Sequence, residues 1–368
     1  MFFHMRTCVV VYTVLQKNYQ SVGMKKARMI TNSLRMQFNF RARLIDDLIT
    51  NGQLEILLTS EIDCSSKNDR VIISRLHLKS NSNRFFDFGF DVLRVFVHEI
   101  TSEKKTTVVF TVRNVLLFGL VNRCLGQKIK IAYIAGLGRW MTSSHFRNFF
   151  FQKIFIWIFG AYTKIVLLNQ RDFELFKILK HPGIEKFNGE GYDFCSPLKT
   201  RQDGFEKYDF GFVGRGTIQK GFDKYLNLAK RYPRYSFCMI GQVDPNLITT
   251  IKGINNLHIL GYVESKEEIW NSFKCHLFLS HQEEGLPFVL LESIHFQTPT
   301  IAVDNPTIHE ICQDFRIPVH QLSEIELDLS CLYKASQSTV YKVNADLNSK
   351  YSYRNNNYQL VGWLNGEK

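Results

Sequence analysis

Cys275-His276-Leu277-Phe278-Leu279, then Glu284-Gly285-Leu286-Pro287-Phe288-Val289-Leu290-Leu291-Glu292, then Thr298-Pro299-Thr300-Ile301-Ala302 reads as strand, turn, helix, strand. A short apolar run bounded by turn residues is a strand signal, and Gly-Leu-Pro is turn chemistry. A turn that opens a helix at the carboxyl edge of a parallel sheet presents free backbone N–H groups and the positive helix end to an anion. Glu284 would stand beside that anion pocket, and Glu292 about two turns further on, at ~3.6 residues per turn. A carboxylate there does little for an anion alone. It fits a ligand in which a neutral, hydroxyl-rich group such as a sugar or ribose is joined to the anion.

Outward from this stretch the alternation continues. The back half reads as strand Tyr208–Val213, helix Gly221–Arg231, strands Tyr235–Ile240 and Leu257–Leu260, helix Lys266–Phe273, strand Cys275–Leu279, helix Pro287–His295 and strand Thr300–Val303. The front half offers strands Cys8–Val14, Leu54–Leu58, Val71–Ser74, Thr107–Thr111, Lys130–Ile134 and Lys164–Leu168, with helices Phe40–Thr50, Phe86–Val97 and Val115–Leu125. Strand–helix alternation at this spacing argues an α/β chain with doubly wound parallel sheets. A polar, turn-rich linker at Ser196–Gly204 separates two Rossmann-like halves. The expected division is 1–198, 199–345 and a last helical stretch 346–368.

The chain has 368 residues, 45% hydrophobic and 22% charged, which excludes disorder and allows two ordinary domains. Net charge is +12, and residues 1–200 hold 29 Lys/Arg against 15 Asp/Glu, so the excess lies in the front half. A basic half suggests a polyanionic partner: nucleic acid, an anionic membrane face or a phosphorylated acceptor. Aromatic and basic residues are not interleaved in a nucleic-acid platform of known type, so no nucleic acid is expected. Eight scattered cysteines without metal-ligand spacing read as buried thiols in a reducing compartment. No signal peptide and no run of ~20 apolar residues is evident, so a cytoplasmic location is expected. Phe146 to Gly160 is strongly aromatic, with Arg147 and Lys153 included. It is either a buried helix or one resting in the headgroup layer of a membrane.

Breaking a sugar–diphosphate bond builds negative charge on the leaving group, which preorganised positive charge must meet. There is no strict Asp-x-Asp pair to hold a divalent metal. Arg215 and Lys220 instead follow the first strand of the back half, in Phe212-Val213-Gly214-Arg215 and Lys220-Gly221. Arg supplies a fixed fork of donors and Lys a mobile point charge. Two carboxylates on one turn and its following helix serve one ligand from one side. A hydrolase needs them facing each other across the bond, ~5–9.5 Å apart.

The two glutamates eight apart, the Gly-Arg…Lys-Gly pair, and Leu260-Gly261-Tyr262-Val263 with Leu277-Phe278-Leu279-Ser280 resemble the retaining glycosyltransferases of GT-B architecture, the large family 4 group. Ala135-Gly136-Leu137-Gly138-Arg139, Leu168-Asn169-Gln170-Arg171-Asp172 and Gly189-Glu190-Gly191-Tyr192-Asp193 look like a branch of it that acts on lipid-linked sugars in surface-polysaccharide assembly, such as O-antigen or capsule. The resemblance covers roughly residues 105 to 312.

It implies two Rossmann-like domains facing across a cleft, with the C-terminal helix crossing back to the first. Glu284, Arg215 and Lys220 would be the catalytic residues. The donor site would add Gly214, Tyr262, Val263, Gly285, Leu286 and Glu292, with Glu284 on the donor sugar and Glu292 on the ribose. Gly136, Gly138 and Arg139 would meet the acceptor, and Arg113 and Arg147 could assist at its diphosphate. The implied donor is a nucleotide sugar, UDP-linked and of N-acetylhexosamine type, with no metal and no further cofactor. The implied acceptor is a lipid-diphosphate saccharide at the anionic inner face of the cytoplasmic membrane, with the protein peripheral there. Two features depart from the family. Gln297 replaces a common glycine, and no Gly-rich loop follows Val14, where Leu15–Ser21 runs instead. An epimerase or phosphorylase on the same architecture, and a non-catalytic basic assembly protein, are the rival readings.

Overall fold

The computed structural model describes residues 26–32, 41, 43–49, 53–59, 71–76, 78, 85–137, 148–189, 192, 207–280, 284–337 and 340–365. Two sheets carry the chain, and every ladder in both is parallel. The first comprises β1 Lys26–Thr31, β2 Gln53–Leu58, β3 Val71–Arg75, β4 Thr106–Phe110, β5 Ile129–Ile134, β6 Tyr162–Leu167 and β7 Ile184–Lys186, in the order β3-β2-β1-β4-β5-β6-β7. The second comprises β8 Tyr208–Val213, β9 Phe237–Ile240, β10 Leu257–Gly261, β11 Phe273–Phe278, β12 Thr300–Val303 and β13 Val319–His320, in the order β10-β9-β8-β11-β12-β13. The α/β, GT-B expectation holds. The linker and the 198/199 boundary lie outside the described residues.

Parallel strands are buried on both faces, so successive residues enter different cores. In β5, Ala132 and Ile134 join one cluster while Ile131 and Tyr133 join the other. Helices α1 Phe85–Thr101, α2 Val112–Cys124 and α3 Phe149–Phe159 cover the first cluster through Val95, Val115, Phe118, Phe155 and Phe159. The opposite face takes Leu44, Ile45 and Leu48, together with Leu360, Trp363 and Leu364 from near the C-terminus.

The central strand of the first sheet is a correction. Cys8–Val14, read as the first strand, lies outside the described residues; the strand between β2 and β4 is Lys26–Thr31. Arg28 hides it from a hydropathy reading. Its guanidinium is buried, 3.0 Å from Glu99 of α1, with Nε donating to Thr107 Oγ1 at 3.2 Å. Burial pushes the Glu99 carboxyl up, but the hydrogen bond with His98, the Arg28 charge and the Asn122 amide outweigh it and hold it below the ordinary range. A strand with a mid-span arginine is stable only once that partner is present. The central strand of this sheet therefore ends at Thr31, not at Val14.

The aromatic segment is a second finding. Only Phe155, Ile158 and Phe159 of α3 are buried, while Phe149, Phe150, Ile156 and Trp157 are exposed. Exposed Phe90, Leu93, Val97 and Ile100 follow helical spacing on α1, and both helices pack on α2. No described helix is long and apolar enough to cross a membrane. Cys238, Cys275 and Cys312 are buried as read, and burial pushes the Cys238 and Cys312 thiols up; Cys124 and Cys331 are exposed.

The first domain also holds α4 Gln170–Phe176, between β6 and β7; in the second, α5 is Phe222–Arg231, α6 Lys266–Asn271, α7 Phe288–His295, α8 His309–Phe315 and α9 Leu322–Ser336. Gln297 takes φ 54° just after α7, a conformation that costs a non-glycine residue ~1–2 kcal/mol. Its side chain offsets this: Oε1 accepts from Tyr341 N at 2.9 Å and Nε2 donates to Tyr341 O at 3.0 Å. Helix–loop packing, which the missing glycine put in question, is thus held by a side-chain clamp. Helix α10 Ala345–Tyr351 adds Leu347 and Tyr351 to the second domain's core. The chain crosses at Ser352, and α11 Tyr353–Asn365 packs on the first sheet, with Trp363 and Phe187 ring centroids 5.7 Å apart.

Candidate active site

In open α/β sheets, ligands bind beyond the carboxyl ends of the strands where the strand order reverses. In the second sheet that point lies between β8 and β11. From β8 the chain runs through Gly214 and Arg215 to a 3-10 turn at Ile218–Lys220, then Gly221 at φ 78°. A Cβ on Gly221 would sit 2.1 Å from the Leu279 carbonyl oxygen, so glycine lets this turn lie against the end of β11.

That approach brings Lys220 to Glu284. The ammonium is 2.6 Å from Oε1 and 2.7 Å from Oε2, and Ser280 Oγ donates to Oε1. The Glu284 side chain is 11% exposed and that of Lys220 32%, so the pair faces a partly open space rather than the core. Helix α7 opens at Phe288 without a side-chain cap. Among the described residues, the amide N–H groups of Gly285, Leu286 and Val289 donate to no protein acceptor. An ammonium, a helix entrance with free amides and a carboxylate therefore share one corner. A ligand with a phosphate and neighbouring hydroxyls can satisfy all three.

Other expected residues stand at graded removes. Arg215 and Gly214 lie exposed on the Lys220 turn, and Arg215 pairs with no described carboxylate. Gly214, at φ 139°, is pressed by the neighbouring loop: a Cβ on Gly241 would lie 1.9 Å from its carbonyl oxygen. Glu292 occupies the second turn of α7, 2.7 Å from Lys266 Nζ and 3.4 Å from Trp270 Nε1. At the end of β10, two strands from β8, Tyr262 is 75% exposed and Val263 packs beside Trp270 and Phe273.

Across the cleft, the end of β5 meets the Glu284 turn directly. The Ala135 carbonyl oxygen would lie 1.5 Å from a Cβ on Gly285. Gly136 is half-buried next to it, while Gly138, Arg139 and Arg147 lie outside the described residues. Leu286 packs into cores of both domains. Arg113 is not free for an acceptor diphosphate, because it forms an ion pair with the fully buried side chain of Asp91.

Sequence reasoning gave no role to the residues that hold the turn. Thr307 Oγ1 accepts the Glu284 N–H at 3.1 Å, Asn305 Oδ1 accepts from Thr307, and Asn305 Nδ2 donates to the Ser280 carbonyl. Asn169, from the first domain, donates to the Glu284 carbonyl at 3.0 Å. Only Asn169 had a signal, as part of a quoted motif.

Comparison with known proteins follows the same lines. Residues 200–320 match the family model described as Glycosyl transferases group 1. No curated protein matches the chain. Among solved structures, Anabaena HepE in complex with UDP and glucose is similar at TM-score 0.64 and 10% identity, over 93% of this chain and 100% of that one. The lipopolysaccharide outer core galactosyltransferase WaaB gives 0.60 and 12%, over 93% and 99%. A glycosyltransferase from Rickettsia africae gives 0.60 and 12%, over 95% and 97%. The Lys220–Glu284 corner thus lies in the region that matches the glycosyl transferases group 1 model, within a chain that takes the GT-B fold over nearly its whole length.

Proposed function

We propose that this protein is a retaining, metal-independent glycosyltransferase. It moves a sugar from a nucleotide-sugar donor to a hydroxyl of a lipid-diphosphate-linked saccharide in surface-polysaccharide assembly. The observation that carries the reading is the Lys220–Glu284 pair at the entrance of α7, beside free amides and at the strand-order reversal of the second sheet. In the unliganded protein the two charges satisfy each other. A donor replaces that pairing, its diphosphate taking the ammonium, the free amides and Arg215, and its sugar hydroxyls taking the carboxylate. When the anomeric C–O bond breaks, the electron pair stays on the diphosphate, where these groups are already aimed. The acceptor hydroxyl enters past Gly136 from the first domain, its oxygen forms the new bond, and its proton goes to the departing diphosphate oxygen. Glu292 serves the ribose, sharing its carboxylate with Lys266. A UDP-linked sugar of N-acetylhexosamine type follows from the family resemblance, and HepE, a structural neighbour solved with UDP and glucose, supports the UDP part alone.

Thermal unfolding in the presence of UDP, GDP and ADP tests the donor site. A ligand that binds only the native state adds about 2.7 kcal/mol at 100 times its Kd, and UDP is expected to give the largest rise. No shift with any nucleotide sinks the reading. A chelator is expected to leave transfer intact; strong loss that Mg²⁺ restores overturns the metal-free part. Donor turnover that gains nothing from added acceptor favours an epimerase or phosphorylase.

Attachment to an anionic membrane face is part of the same proposal. The apolar band on α1 and α3 is the kind of surface that rests at the headgroup boundary, with Lys153 held over the Phe149 ring at 4.5 Å. Sedimentation with vesicles containing an anionic lipid is expected to carry the protein down, and Phe150→Ser with Trp157→Ser to weaken this about tenfold. Equal behaviour of variant and parent removes this surface from the model of attachment.

A further inference from the structure

We propose that Asn169 is a positioning residue for Glu284, and that through it the meeting of the two domains sets the orientation of the sugar-holding carboxylate. The inference rests on the reading of Glu284 given above.

Asn169 lies two residues beyond the end of β6 and caps α4. Its Oδ1 accepts the Asp172 N–H at 2.8 Å, which is an ordinary N-cap. Its Nδ2 donates twice, to Asp172 Oδ2 at 2.9 Å and to the Glu284 carbonyl at 3.0 Å. The side chain is buried, and the buried Asp172 carboxylate fixes which way the amide points. A cap alone needs only an acceptor, which serine supplies as well. The amide N–H that reaches across the cleft is the part a cap does not require.

From the other domain, Thr307 takes the N–H of the same residue, with Asn305 holding Thr307. Both backbone polar groups of Glu284 are thus bound by side chains, one from each domain. Two such bonds fix the peptide planes on either side of its Cα, and with them the direction in which the carboxylate leaves the backbone. The Thr307 bond survives opening of the cleft. The Asn169 bond exists only while the domains are together, so the carboxylate gains its second anchor on closure.

Asn169→Ser separates the two tasks, keeping a capping oxygen while removing the amide donor. The expected result is a fall in kcat of about 10- to 100-fold, the cost of a misplaced group, with donor KM within about twofold. The stabilisation by UDP should persist, since Lys220 and the free amides are untouched. The Glu284 carbonyl carbon and the Gly285 amide nitrogen of the same peptide should shift in the NMR spectrum, because that carbonyl loses its donor. Unchanged kcat in an active protein, or unmoved Glu284–Gly285 peptide resonances, overturns the proposal, as does equal loss of nucleotide binding and fold stability. If the parent protein transfers no sugar from any nucleotide donor, the reading of Glu284 fails while the resonance comparison still decides the clamp.

Discussion

Glu284→Ala is expected to lower sugar transfer by about 10²- to 10³-fold, the range seen when one preorganised transition-state contact is removed. Its carboxylate is bound by Lys220 through both oxygens and by Ser280, so alanine removes the only described acidic group in that corner. The fold should tolerate the change. Lys220 is 32% exposed and rehydrates when left alone, so stability should change by no more than about 1 kcal/mol. Donor affinity should fall less than turnover, because Lys220 becomes wholly available to the diphosphate. Glu284→Gln keeps a hydrogen-bonding end without the charge and should fall between parent and alanine. The neighbouring Glu283→Ala is the control and should transfer at the parental rate. Equal activity in the two alanine variants would remove the assignment of Glu284.

Gly285→Ala should be nearly as damaging, by a steric route. The added methyl would lie 1.5 Å from the Ala135 carbonyl oxygen and 2.6 Å from its carbon. Both neighbours are backbone, so no rotamer change relieves the clash. Either the domains separate at this point or the turn carrying Glu284 retreats, and both move the carboxylate. A displacement of about 1 Å can cost about 10²-fold in rate, so kcat should fall on that scale. Each domain keeps its own core and Lys220 keeps its place, so the fold should hold, while stabilisation by UDP should weaken as far as the Gly285 and Leu286 amides move. Parental kcat in Gly285→Ala would mean that transfer does not need this contact, and the closed arrangement would lose its role.

Much of the fold was legible in short windows. Tyr208–Val213 and Thr300–Val303 appear where the sequence puts them, and α7 begins one residue after its expected start. β-branched and aromatic runs between turn residues carry their own signal, and parallel sheets repeat it. Lys26–Thr31 was not legible, because Arg28 spoils its hydropathy until Glu99, 71 residues away, is seen to neutralise it. The aromatic stretch before Gly160 was ambiguous for a related reason. Period shows that α3 is a helix but not how much of it a domain covers.

The candidate site divides in the same way. By itself the sequence determined the two sheets of alternating strands and helices, the turn at Glu284–Pro287, the cations after β8 and the basic front half, since each depends on chemistry within about ten residues. Tertiary structure alone decided which of these meet. Lys220 reaches Glu284 across 64 positions and Asn169 reaches it across 115. Those contacts follow from strand order and from one domain lying against the other. The free energy that chooses both is spread over whole cores, so no local pattern of residues records it.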